Sequence, residues 1–165
     1  MHLFERKKPN ADQAFLRYGD MLYRLALTHL GHDADAQDAV QDVFVKYMTA
    51  SPAFEDTNHE KAWLIRTAIN RCHDLTRRNK VRTYEPIEHA HHVAAPPQES
   101  AQDLWAWIAQ LPPIYKNAVV LHALEGFSIE ETAKILNVST SAVKMRLSRA
   151  RDMLRIKRKE DGDVF

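Results

Sequence analysis

Apolar residues recur along this chain at helical rather than strand spacing. Phe15, Tyr18, Leu22, Leu25 and Leu30 follow the i, i+3, i+4 rhythm of one helix face, and Gly31 ends it. Asp33 is placed to cap a second helix carrying Ala36, Val40, Val43, Phe44 and Tyr47, which Pro52 stops. Residues 53–59 make a polar loop around Phe54. A third helix is predicted from about Glu60 to Arg78, with Trp63, Ile65, Ala68, Ile69 and Cys72 for a core. Three amphipathic helices with short connections predict a compact bundle.

The rhythm is lost over residues 79–100, which carry Pro86, Pro96, Pro97 and the group His89, His91 and His92, and this stretch reads as a linker. A second helical unit follows, punctuated by Pro112, Pro113, Gly126 and a turn at Asn137. The expected fold is therefore all-α, with two small helical domains joined by a flexible linker. Its parts are a tail (1–10), an N-terminal bundle (11–78), the linker (79–101), a C-terminal helix-turn-helix bundle (102–159) and a short tail (160–165).

The sharpest local pattern lies in the second unit. Ser128 with Glu131 spells a capping box, Asn137 tolerates the left-handed turn that would end that helix, and Ser139 can cap the next. With Val143, Leu147, Ala150 and Leu154 facing inward, the 100° helical step points Ser141, Met145 and Ser148 outward. Lys144 and Arg149 flank that strip, and Arg146 and Arg151 lie toward its sides. Polar side chains toward base edges and cations toward phosphates suit a recognition helix. A basic helix packed on a partner protein would show the same pattern.

Composition changes this picture little, and charge changes it more. The 165 residues are 45% hydrophobic and 27% charged, with four glycines, as expected for compact helical domains. No apolar run approaches the length of a membrane span, and the charged first ten residues do not read as a secretory signal. A single cysteine, Cys72, precludes an internal disulfide and suits a reducing cytoplasm. The net charge of +1 conceals segregation. Residues 33–60 hold seven acids and one base, residues 61–82 seven bases and one acid, and residues 134–160 nine bases and two acids. One acidic block fits a basic protein partner and two basic blocks fit nucleic acid, although solvated helix faces would give the same counts.

Three segments carry a family resemblance. LPPIYKNAVVLHALEGFSIEETAKILNVSTSAVKMRLSRARDML (111–154) resembles the promoter-reading region four of extracytoplasmic-function sigma factors. DADAQDAVQDVFVKYM (33–48) resembles the polymerase-binding helix of their region two, and AWLIRTAINRCHDLTRR (62–78) the promoter-melting helix that follows. The resemblance implies a non-enzymatic subunit that directs RNA polymerase to promoters. It places Asp38, Gln41, Asp42 and Phe44 against the β′ clamp helices, where carboxylates would face arginines. It assigns a base flipped out of the unpaired minus-ten strand to Phe54, the loop Glu55, Asp56, Thr57, Asn58 and His59, and Asn70. Arg66, Arg71, Arg77 and Arg78 would follow the phosphates, and Trp63 would chiefly pack in the core. It assigns the minus-thirty-five element to Lys144, Met145, Ser148 and Arg149, with Ser141 on the same strip and Arg146 and Arg151 on the backbone. Met145 departs from the small polar residue many relatives carry. The resemblance further implies the β flap and an anti-sigma factor as partners. The linker would thread the polymerase with Glu85, Glu88, Glu99 and Asp103 as a mildly acidic strand.

Other chemistries find less support. His89, His91 and His92 with Cys72 and His73 lack the paired spacing of a structural zinc site, so no metal or cofactor is expected. Asp35, Asp38 and Asp42 spread along an outer helix face without a histidine partner, which suits binding rather than catalysis. A free-standing helix-turn-helix regulator would leave the N-terminal half unexplained.

Overall fold

The computed structural model describes residues 9–78 and 99–160. Every regular element in them is a helix, arranged in two compact units divided between Tyr84 and Glu85. In the first, α1 (Ala11–Leu30), α2 (Asp33–Ala50) and α3 (Thr57–Arg78) each pack against the other two. Leu22, Leu25, Val43, Tyr47, Leu64 and Ile65 fill the centre, and the small Ala26, Ala36, Ala39 and Ala68 let the helices approach closely. Cys72 is buried among them as a small apolar side chain.

The connections follow from local chemistry. Asn10 caps α1 by accepting the Gln13 N–H, and Gly31 ends it at φ 72°, a left-handed conformation open to glycine. The cap of α2 differs from expectation. His32 occupies the capping position without a side-chain capping bond, and Asp33 is the first helical residue. Its carboxylate is engaged instead by the Tyr23 hydroxyl and by the Gln37 amide, at 3.0 Å for the latter. Ser51, at φ 41°, closes α2 just before Pro52.

The second unit holds α4 (Glu99–Ala109), α5 (Pro113–Val119), α6 (Ile129–Leu136) and α7 (Thr140–Glu160). α4 begins inside the stretch read from the sequence as linker, so Glu99 and Asp103 belong to a helix and not to an extended strand. Residues Val120–Leu124 continue α5 as a π-helical turn, with the Glu125 N–H donating to the Val120 carbonyl at 2.9 Å. Gly126 at φ 78° then redirects the chain into α6. Val143, Leu147 and Ala150 of α7 are buried against α5 and α6, and Leu154 is half-buried. The linker residues Glu85, Glu88, His89, His91 and His92 lie outside the described residues.

Candidate functional site

On α2 the exposed strip is acidic with apolar neighbours. Asp38, Gln41 and Asp42 are exposed, as are Val45 and Met48, which continue the same side of the helix. Phe44 is not part of that strip. Only 6% exposed, it turns inward, with its ring edge-on to Phe15 at 5.2 Å. It therefore holds α2 in place within the bundle. The reason lies in the 100° step, which sets Phe44 on the same side as Val40 and Tyr47.

On α3 the exposed cations divide between two faces. The helical step brings Arg66, Asn70 and Arg77 within roughly 40° of one another, while Arg71 and Arg78 lie about 100° round the helix. Arg66, Asn70, Arg77 and Arg78 are exposed, and Arg77 lies 3.8 Å from Asp74. Arg71 is committed elsewhere: its Nε donates to Asp42 Oδ2 at 2.7 Å, so an expected DNA residue and an expected polymerase residue are bonded to each other. With the two side chains 29% and 47% exposed, such a pair contributes under about 1 kcal/mol and is readily exchanged for other partners.

The loop before α3 is shorter than its sequence suggests. Asp56 caps the helix by accepting the His59 N–H at 2.7 Å, so Thr57, Asn58 and His59 already form the first turn. The Glu55 N–H donates to His59 Nδ1 at 3.2 Å. Phe54 is buried, 4% exposed, its ring 5.8 Å from Tyr47 and 6.0 Å from Trp63. It serves as the wall of a cavity of about 170 Å³, whose lining includes Glu55, Asp56 and Thr57 from the loop, Asn10, Gln13, Arg17 and Tyr18 from the start of α1, and Glu60 from α3. Glu60 is itself 8% exposed, and its Oε1 accepts the Tyr47 hydroxyl at 2.6 Å. Asn70 does not line this cavity. It stands thirteen residues beyond Thr57, roughly 20 Å along α3. Trp63 is half-buried against Tyr47 and Phe54. Sequence reading missed Asn10, Gln13, Arg17, Tyr18 and Glu60, because only packing of α1 on the loop brings them together.

In the second unit the capping box is complete, with the Glu131 N–H donating to Ser128 Oγ and the Ser128 N–H to Glu131 Oε2, both at 3.0 Å. Asn137, at φ 55° and ψ 49°, ends α6, and the Val138 N–H reaches back to the Ala133 carbonyl at 3.0 Å. Ser139 Oγ accepts the Ala142 N–H at 3.1 Å, which starts α7. Two capped helices joined by this tight turn form a helix-turn-helix. Ser141, Lys144, Met145, Ser148, Arg149 and Arg151 are exposed on α7, and Arg146 is half-buried. Among the described residues no group of three or more histidine, cysteine or acidic side chains could hold a metal ion, and no helix is long and apolar enough to cross a membrane.

Comparison with known proteins agrees with both units. Residues 14–82 match the family model for sigma-70 region 2, and residues 101–154 that for sigma-70 region 4. The chain is 34% identical over 145 residues to the ECF RNA polymerase sigma factor SigM of Mycobacterium tuberculosis, covering 87% of this chain and 74% of that protein. CnrH, solved in complex with the cytosolic domain of CnrY, superposes with a TM-score of 0.69 at 27% identity, covering 92% of this chain and 89% of that one. The sigma factor RpoE, solved with the anti-sigma factor NepR from Bartonella quintana, gives 0.68 at 26% identity, covering 87% and 93%. Two region models matched in order, and a relative aligned over most of its length, place this chain in the extracytoplasmic-function group of sigma factors, through which RNA polymerase initiates transcription at specific promoters.

Proposed function

We propose that each exposed face described above meets one component of an initiating complex. The α2 strip of Asp38, Gln41 and Asp42 docks on the basic β′ clamp helices of core polymerase, where opposite charges steer encounter and orient hydrogen bonds. Arg66, Asn70 and Arg77 follow the non-template strand of the minus-ten element, joined by Arg71 and Arg78 from the neighbouring face. The cavity at Phe54, Glu55, Asp56 and Thr57, beside Asn58, receives an unpaired base, whose extrusion costs a few kcal/mol that a pocket can offset. On α7, Ser141, Lys144, Met145, Ser148 and Arg149 read the minus-thirty-five element in the major groove, with Arg146 and Arg151 on phosphates. The second unit also meets the β flap. An anti-sigma factor is the proposed regulator, supported by the two relatives above that were solved with CnrY and NepR.

The observation that carries this reading is the division of charge within one small bundle. Exposed carboxylates on α2 and exposed cations on α3 give it one surface for a basic protein and another for a polyanion. Holoenzyme assembly and promoter opening, measured separately, test it. Asp42→Ala should weaken core binding by about tenfold, equivalent to ~1.4 kcal/mol, and leave base recognition unchanged. Asn70→Ala should leave core binding intact and slow opening. Equal effects of both variants on both steps would contradict the division of labour.

A further inference from the structure

Glu60 is an unusual residue to bury. A carboxylate removed from water needs hydrogen bonds to offset its lost hydration, and among the described residues Glu60 has one, from the Tyr47 hydroxyl to Oε1. A carboxylate accepts through two oxygens, each with two lone pairs. Most of that capacity is therefore unspent, and Glu60 lines the cavity beside Phe54. The same cavity holds donors of the opposite kind. Asn10 spends its side-chain oxygen on the Gln13 N–H, which leaves its NH₂ to donate, and Gln13 and Arg17 lie in the same lining.

We propose that Glu60 is a specificity-determining residue of this cavity, accepting an N–H from the exocyclic amino group of an unpaired base and thereby disfavouring thymine. This rests on the reading above that the cavity takes an unpaired minus-ten base. Cytosine N4 and adenine N6 each present an amino group next to a ring acceptor, and guanine presents N2 beside N1–H. Carboxylate acceptance suits all three, while Asn10, Gln13 and Arg17 can donate to the ring or carbonyl acceptors. Thymine offers only N3–H between two carbonyl oxygens, which would face the carboxylate and be repelled. Phe54 and Tyr18 supply aromatic surface that does not discriminate among bases.

The test uses holoenzyme formed from the full chain and its core polymerase, bound to promoters whose minus-ten region is held open as a bubble. An abasic scan of the non-template strand first locates the position whose base contributes to binding. At that position cytosine, adenine, guanine, thymine and uracil are then compared. The wild type should bind thymine and uracil roughly 5- to 10-fold more weakly than the best amino-bearing base, the lower end of what one base-reading side chain discriminates. Glu60→Gln, which keeps an oxygen for Tyr47 and adds an NH₂ donor, should reduce that difference to under about twofold by favouring the carbonyl bases. Tyr47→Phe should preserve it. If no position responds to base removal, the unpaired-base reading itself fails. If a position responds but thymine binds as well as the amino bases, or Glu60→Gln leaves the ratio unchanged, the reading stands and the role of Glu60 is overturned. Uracil binding like cytosine, or Tyr47→Phe erasing the preference as fully as Glu60→Gln, would also overturn it, by assigning the effect to the thymine methyl or to bundle packing.

Discussion

Two tyrosine–carboxylate pairs tie the first bundle together, Tyr23 to Asp33 between α1 and α2, and Tyr47 to Glu60 between α2 and α3. Burial first, and then the hydrogen bond to the acid, raises each phenol well above its ordinary value of 10.0. The folded state thus holds these protons more tightly than the unfolded chain does. Their contribution to stability is complete below pH 10 and is lost as pH rises beyond it. The melting temperature of the first bundle should therefore fall as pH rises beyond about 10, and a Tyr23→Phe/Tyr47→Phe double variant should flatten that fall. A pH dependence identical in both proteins would contradict the assignment. At this scale the sequence was only partly legible. Burial of Val40, Tyr47, Ile65 and Cys72 could be read from spacing. Phe44 shares the face of Val40 and Tyr47 and its burial follows from the same step, whereas the fate of Phe54 could not be read, because spacing does not tell whether a neighbouring element covers a loop residue. Glu60 carried no signal at all, since its burial is set by Tyr47 thirteen residues away.

Helix ends were more legible than helix faces wherever the ending is a local side-chain event. Ser128, Glu131, Asn137 and Ser139 act on backbone groups within a few residues, and each does in the structure what its chemistry predicts. Asn137→Ala should cost about 1 kcal/mol by forcing a residue without local side-chain bonding into the left-handed region, and Ser128→Ala about 1 kcal/mol through loss of the cap. Both should quicken amide hydrogen exchange in α6 and the start of α7, and Asn137→Gly should be tolerated. Unchanged protection in Asn137→Ala would contradict the role given to that turn. One local cap stands outside the apolar spacing. α3 starts three residues before Glu60 because Asp56, not a later residue, caps it. The π-helical turn at Val120–Leu124 left no trace in the apolar rhythm, which tolerates one extra residue per turn without changing character.

For the whole molecule, near-neutral net charge is the sum of surfaces of opposite charge, one acidic strip and two cationic ones on two units. The all-helical, two-unit architecture was readable because each unit carries its own helical rhythm and proline-rich residues part them. Recognition by the second unit should be separable from function of the first. Arg149→Ala should lower initiation at promoters with an intact minus-thirty-five element by about 1–3 kcal/mol equivalent and relax upstream sequence preference, while core binding stays unchanged. Run-off transcription from a promoter library with purified core polymerase, with and without this protein, tests its role as a sigma factor. Initiation that depends on the protein and is selective for promoters sharing one minus-ten and minus-thirty-five pair is the expected result. Failure of the protein to bind core polymerase or to direct initiation from any promoter would contradict it.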